Sequence, residues 1–393
     1  MIPPLNIRVL AFFDARFQSS GELWEAGGRV DNWDRILGIH PLRRHHSPLL
    51  QPSKALGRYD LADARSVGRV VAVARAAGIG GFVLDCHRHG DRYVTGAECL
   101  DAWCDEDFGV AFRWNPYTDG VAGQDEAAQS VTVAALMDAI TGFGHVLADG
   151  RAVLVVNDPY RLPRPARTVA LLREAASTAG IGGLYLVATA AEAKGGLLDA
   201  GFDALLDPNP AQWASCKPAD LLTGYTFLQA EAGQADGGMF DDTLMTYTQF
   251  VNSRMIGRPS RGKVLPRVMP DFANWTEHPQ GGGTLLASAS ATYYRRFLAG
   301  CVAYVARHFP EGERLVFIDS WNHWGQRSQI EPTSQFGTVV LDETSNAVRQ
   351  GGYVARTRVG EPTLSEAVDL ETIRALCNRI EGELPITPTK AGD

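Results

Sequence analysis

The 393-residue chain has few cysteines, and those it has are not arranged for metal or redox chemistry. Cys86, Cys99, Cys104, Cys216, Cys301 and Cys377 form no CxxC pair and no zinc spacing, so they are expected to be reduced thiols of a cytoplasmic protein. Positive charge is also short. The 37 Lys and Arg against 45 Asp and Glu leave a net charge of −8, and no basic stripe is present, which excludes the usual nucleic-acid binder. The one basic cluster, Arg43, Arg44, His45 and His46, lies beside Pro41 and Pro48 and reads as a solvated loop. No apolar run approaches the roughly 18 residues that a membrane-spanning helix needs, so no membrane span is expected. Met1-Ile2-Pro3-Pro4-Leu5-Asn6 lacks the basic start and apolar stretch of a signal peptide. No GxGxxG follows a first strand and no GxxxxGK(S/T) occurs, so neither of those phosphate loops is available and no cofactor is implied. His87 and His89 stand two apart, but sequence supplies no third ligand, so no metal site is expected.

What is present is a recurrent pattern. The hydrophobic fraction is 45% and the charged fraction 21%, as in a globular enzyme. Short apolar, β-rich runs appear at 7–13, 79–85, 110–114, 152–158, 184–188, 204–207, 264–270 and 315–320. Between most of them lie helical patterns. Residues 67–77 carry Val67, Val70, Val71, Ala74 and Ala77 at helix spacing, and 169–179 and 291–308 behave alike. Strand alternating with helix predicts a parallel sheet, and eight such units favour a closed (β/α)8 barrel over a doubly wound sheet, which remains the alternative. "AGIGGFVLD" and "AGIGGLYLV" each follow a helix, and the first glycine of each is expected to end it in a left-handed cap. A single barrel domain over 1–382 is expected, with its final helix near 370–380 and a disordered tail at 383–393. Residues 14–60 and 208–262 form long connections after the first and sixth strands, which makes them candidate walls of a cleft.

The expected strand ends are polar and aromatic. The second ends in Asp85-Cys86-His87, the third in Arg113-Trp114-Asn115, and the fourth in Asn157-Asp158. The seventh runs into Asp271-Phe272-Ala273-Asn274-Trp275, and the eighth into Asp319-Ser320-Trp321-Asn322-His323-Trp324. Aromatic faces beside carboxylates, amides and imidazoles suit a sugar, whose CH face packs on a ring while its hydroxyls need donors and acceptors. His87, Trp114, Asn115, Trp275, Trp321, Asn322 and Trp324 are therefore candidate contacts to an oligosaccharide or polysaccharide. A nucleotide-sugar held in some other way stays open.

At the eighth strand, "FIDSWNHWGQRSQIEP" (317–332) resembles the signature of the WbsX-type proteins, relatives of glycoside hydrolase family 99. There the usual form is Asn-Glu-Trp-Gly-Glu-Gly, followed after a few residues by Glu-Pro. "HHSPLLQPSKALGRYDLAD" (45–63), "AGIGGFVLDCH" (77–87), "FRWNPYTDG" (112–120) and "RVMPDFAN" (267–274) are similar to other segments of that family, in the same order. The resemblance implies a (β/α)8 barrel and chemistry at glycosidic bonds, by hydrolysis or by glycosyl transfer in cell-surface polysaccharide synthesis. It also implies a site role for Glu331, the glutamate of the closing Glu-Pro.

The chain departs from the signature where the two catalytic glutamates would stand, with His323 and Gln326 in their places. A retaining glycosidase needs two groups that exchange protons or share charge across the scissile bond. An amide does neither, whereas an imidazole shuttles protons near neutral pH. Three readings follow. His323 works with a strand-end acid such as Asp85, Asp271 or Asp319; or sugar binding persists without catalysis; or the barrel does unrelated chemistry.

Overall fold

The computed structural model describes residues 6–19, 33–43, 46–189, 196–215, 242–256 and 263–357. The expected final helix and tail lie outside the described residues, as do parts of both long connections.

Parallel strands run around a barrel: β1 (Arg8–Phe13), β2 (Gly81–Asp85), β3 (Gly109–Trp114), β4 (Arg151–Asn157), β5 (Leu184–Thr189), β6 (Ala204–Leu206), β7 (264–268) and β8 (Leu315–Ile318). All eight coincide with the apolar runs of the sequence. β5 is buried at every position, the pattern of a parallel strand covered on both faces. The ring closes at β7, which Pro266 divides into Val264–Leu265 and Arg267–Val268. Proline has no N–H to give to a ladder. The first piece pairs with β6 and the second with β8, and Phe317 N donates to the Pro266 carbonyl at 2.9 Å.

Helices α1 (Ala64–Ala76), α2 (Glu126–Ile140), α3 (Pro165–Thr178), α4 (Ala291–His308) and α5 (Val339–Thr357) surround the strands. Asp63 caps α1 by accepting from Arg65 N and Ser66 N, and Asp125 caps α2 through Ala128 N. α1 and α3 end as expected, on Gly78 (φ +85°) and Gly180 (φ +78°). No described helix is long and apolar enough to cross a membrane.

The interior shows which ends of the strands matter. Guanidinium groups of Arg113 on β3 and Arg267 on β7 lie 4.7 and 4.5 Å from the ring of Phe12 on β1. These strands are not neighbours in the sheet, so the three side chains meet inside the barrel. Above them, the two long connections converge. His46 Nε2 sits 3.0 Å from Asp242 Oδ2, and the imidazole stacks on Trp275 with centroids 4.7 Å apart. Thr243–Thr246 pairs in parallel with Thr284–Ala287, tying the end of the second connection to the chain that follows β7.

Candidate active site

Carboxylates stand just beyond or at the ends of four strands, and each is ion-paired to an arginine. Asp14, after β1, receives Arg16 Nε at 2.8 Å and Nη2 at 2.7 Å. Asp85, closing β2, is gripped by both ends of the Arg113 fork. Asp319, after β8, accepts from Arg267 Nη2 at 2.7 Å. Asp271, after β7, accepts from Arg327 Nη2 at 2.9 Å and Nε at 3.1 Å. For Asp14, Asp85 and Asp271 two arginine nitrogens engage the carboxylate, which fixes both partners in place.

His323 lies amid the first three pairs. Its Nδ1 is 3.5 Å from Asp319 Oδ1, and its backbone N–H donates to Ser320 Oγ at 2.8 Å. Burial would raise the carboxyl pKa of Asp14, Asp85 and Asp319. The nearby charges of Arg16, Arg113 and Arg267 respectively, together with His323, hold all three below the usual carboxylate range. These groups are anions throughout the physiological range and have no proton to give. Asp271 differs: burial dominates and raises it, against the opposing pull of Arg327.

Gln326 also reaches a carboxylate. Its Nε2 donates at 2.7 Å to Oε1 of Glu277, an exposed residue in the short 3-10 turn Trp275–Glu277. Arg16 connects this glutamate to the centre. Burial works against the guanidinium charge, but Asp14, Asp85 and Glu277 together keep it protonated. Glu277, Arg16, Asp14, Asp85 and His323 therefore share one electrostatic neighbourhood.

Other expected site residues take supporting places. Trp114, Trp275, Trp321 and Trp324 are at most 1% exposed, so none presents a face to solvent. Each is packed inside instead, Trp275 on His46, Trp321 against Phe82 and Trp324 against Trp33, while Trp114 Nε1 donates to Tyr93 OH (3.0 Å) and Asp119 Oδ2 (3.1 Å). Asn322 is fully buried and joins the loop after β1 to the loop after β8. It accepts from Asp14 N at 2.7 Å and donates to Asp14 O at 2.9 Å. Glu331 is buried as well, receiving Tyr59 OH and Trp324 Nε1, each at 2.8 Å. Burial pushes its carboxyl up to about 8. Asn322 and Glu331 thus hold the loops that carry the cleft, rather than lining it. Asn115 and His87 are half-buried, Asn115 beside the cleft amides and His87 in a hairpin against Val94.

Sequence reasoning passed over Asp14, Arg16, Arg267 as a partner of Asp319, and Glu277. Asp14 and Arg267 carried a usable signal, Asp14 because it follows the expected strand 7–13 and Arg267 because it is a charge inside the expected strand 264–270. Arg16 and Glu277 sit in loops and gave none. Among the described residues no cluster of three or more His, Cys, Asp or Glu could hold a metal ion.

Fold and site together define a parallel (β/α)8 barrel with a charged, imidazole-centred cleft at the carboxyl ends of its strands. Solved structures share this architecture. The endo-alpha-mannosidase of Bacteroides thetaiotaomicron, from glycoside hydrolase family 99, superposes with a TM-score of 0.55 at 16% identity, over 89% of this chain and 99% of that one. A glycoside hydrolase-like protein superposes with a TM-score of 0.56 at 13% identity, over 88% and 96%. Among curated proteins, WxcX of Xanthomonas campestris pv. campestris is 26% identical over 386 residues, covering 91% of this chain and 52% of the relative. The chain thus spans about half the length of the curated relatives it matches. The family model of glycosyltransferase WbsX matches residues 120–344, more than half the chain. The protein belongs to the WbsX glycosyltransferase family.

Proposed function

We propose that this barrel acts on glycosidic bonds of an oligosaccharide or polysaccharide, with His323 and Glu277 as its two proton-handling groups. The observation that carries the reading is the position of His323, which lies among three permanently ionised carboxylates with Nδ1 3.5 Å from Asp319 Oδ1. With Nδ1 facing that carboxylate, Nε2, on the far side of the ring, is the nitrogen left to exchange a proton with substrate. Family membership and the glycosidase-like fold support the same substrate class.

Making or breaking a glycosidic bond needs a proton delivered to the leaving oxygen and one removed from the attacking hydroxyl. In this site the bond between the anomeric carbon and the leaving oxygen breaks with its electron pair going to that oxygen. Glu277 supplies the proton that this oxygen takes. The attacking oxygen, from water or from an acceptor sugar, bonds to the anomeric carbon and gives its proton to His323. Gln326 donates to the Glu277 carboxylate and so positions the acid. Asp85 and Asp319 have the charge of carboxylates but are already paired with arginines. They orient and stabilise rather than transfer protons.

The test is incubation of the protein with a panel of bacterial surface glycans and of nucleotide-sugars, following changes in glycan mass and release of reducing ends. Turnover of a glycan supports the reading. Turnover of nucleotide-sugars alone shifts it to transfer from an activated donor, whose leaving phosphate needs no protonation. One observation favours a second reading, glycan binding without turnover: four strand-end aspartates are neutralised by arginines. Stoichiometric binding of a glycan that is never altered would select it.

A further inference from the structure

The catalytic centre spans the part of the barrel mouth that follows β7, β8, β1 and β2. The opposite rim carries features that the centre does not use. Tyr117, in the loop after β3, is 51% exposed, and Tyr160, just past β4, is 44% exposed. The guanidinium of Arg161 lies 4.3 Å from the Tyr117 ring centroid, which steadies the ring and enriches the rim in stacking surface. These are the exposed aromatic rings of the carboxyl-end face next to Asn115 and Asn157, in contrast to the four buried tryptophans.

An amide ladder leads from this rim to the centre. Asn157 Nδ2 donates to Asn115 Oδ1 at 3.1 Å, and Gln212 Nε2 donates to Asn157 Oδ1 at 2.9 Å and to Asp158 Oδ1 at 3.1 Å. Arg267 Nη1 reaches Gln212 Oε1 at 3.4 Å and, through its other nitrogen, Asp319 beside His323. Asn115 and Asn157 are half-buried. A row of part-exposed amides ending in an aromatic platform provides donors and acceptors for hydroxyls and a face for the CH side of a ring. Three strand intervals separate β8 from β3, roughly 14 Å along the wall at the usual spacing. That is farther than a single sugar ring extends.

We infer that Tyr117, with Asn115 and Asn157, forms a distal saccharide subsite. The site then takes a chain of several sugar units, rather than a single sugar on a nucleotide. The inference rests on the proposed carbohydrate function and specifies its substrate as a polymer.

The experiment uses an array of bacterial surface polysaccharides to find a binder. Graded fragments of that binder, from one to six units, are then titrated calorimetrically into the full chain, Tyr117→Ala and Tyr117→Phe. For the unaltered chain, affinity should rise with fragment length until the subsite is filled. Tyr117→Ala should weaken binding of the longest fragments about tenfold, about 1.4 kcal/mol, and flatten the rise. Tyr117→Phe, which keeps the ring, should retain both. A rise with length that survives Tyr117→Ala overturns the subsite while leaving the carbohydrate reading intact. Absence of any polysaccharide binding overturns the carbohydrate reading and the subsite with it.

Discussion

Asp319 divides its two oxygens between two side chains: Oδ2 accepts from Arg267 at 2.7 Å, and Oδ1 lies 3.5 Å from His323 Nδ1. The carboxylate is fully buried, so its charge is offset only by these groups and by Arg113 beyond them. Asp319→Asn would leave the Arg267 charge buried and unpaired, a loss on the order of 3–5 kcal/mol. Chemical denaturation should show this loss. His323→Ala, by contrast, leaves the Arg267–Asp319 pair in place. It should keep the fold and lower turnover by about 10²- to 10⁴-fold, the range of general acid–base catalysis. A folded His323→Ala protein with full turnover would remove the imidazole from the mechanism.

Glu277 and Gln326 give a second prediction. Glu277→Gln removes the proton that an ordinary sugar leaving group needs, so turnover of a natural glycan should fall by about 10²- to 10⁴-fold. Turnover of a glycosyl fluoride, whose leaving group needs little protonation, should fall far less. Gln326→Ala releases the Glu277 carboxylate from its 2.7 Å hydrogen bond and should have a milder effect on both substrates. Equal losses on both substrates in Glu277→Gln would rule out an acid role.

The buried Glu331 makes stability depend on pH. Its carboxyl is pushed up to about 8 in the fold, from an ordinary value of 4.5. Between these values the folded chain holds a proton that the unfolded chain has released. The resulting stabilisation is full below about 4.5 and is lost as pH rises through about 8. Compared with Glu331→Gln, which is neutral at every pH, the unaltered chain should lose stability steadily from pH 5 to 8. Urea denaturation of both proteins across that range measures the difference, and parallel curves would contradict it.

Packing gives a fourth prediction. A Cβ on Gly81 would meet Gly109 O at 2.4 Å and Val146 Cγ2 at 2.9 Å, between β2 and β3. A backbone carbonyl in a ladder has no room to move aside. Gly81→Ala should destabilise by about 1–3 kcal/mol, measurable as a lower thermal midpoint, whereas Gly182→Ala, with nothing within 4 Å and no positive φ, should not.

The barrel was legible in the sequence because parallel strands are buried on both faces, so each appears as an uninterrupted apolar run ended by polar residues. The broken strand is the exception: Pro266 interrupts its ladder and Arg267, turned into the barrel, interrupts its apolar run. The tryptophans were less legible. Enrichment at strand ends is the same whether an indole stacks a sugar or seals the layer below, and only burial separates the two cases. Glu277 could not be found from sequence, because what brings it to the cleft is a loop fold that joins it to Gln326, 49 residues away. The same limit applies to Arg16, whose partners Asp14 and Asp85 come from different strands.

The most direct test of the account is a crystal structure of the Glu277→Gln protein with a bound oligosaccharide. The account predicts one glycosidic oxygen within hydrogen-bonding reach of residue 277, about 2.6–3.2 Å, with His323 on the other side of that anomeric carbon and a distal sugar ring against Tyr117. An oligosaccharide bound elsewhere on the protein, or in the cleft with no glycosidic bond near His323 and residue 277, would contradict it.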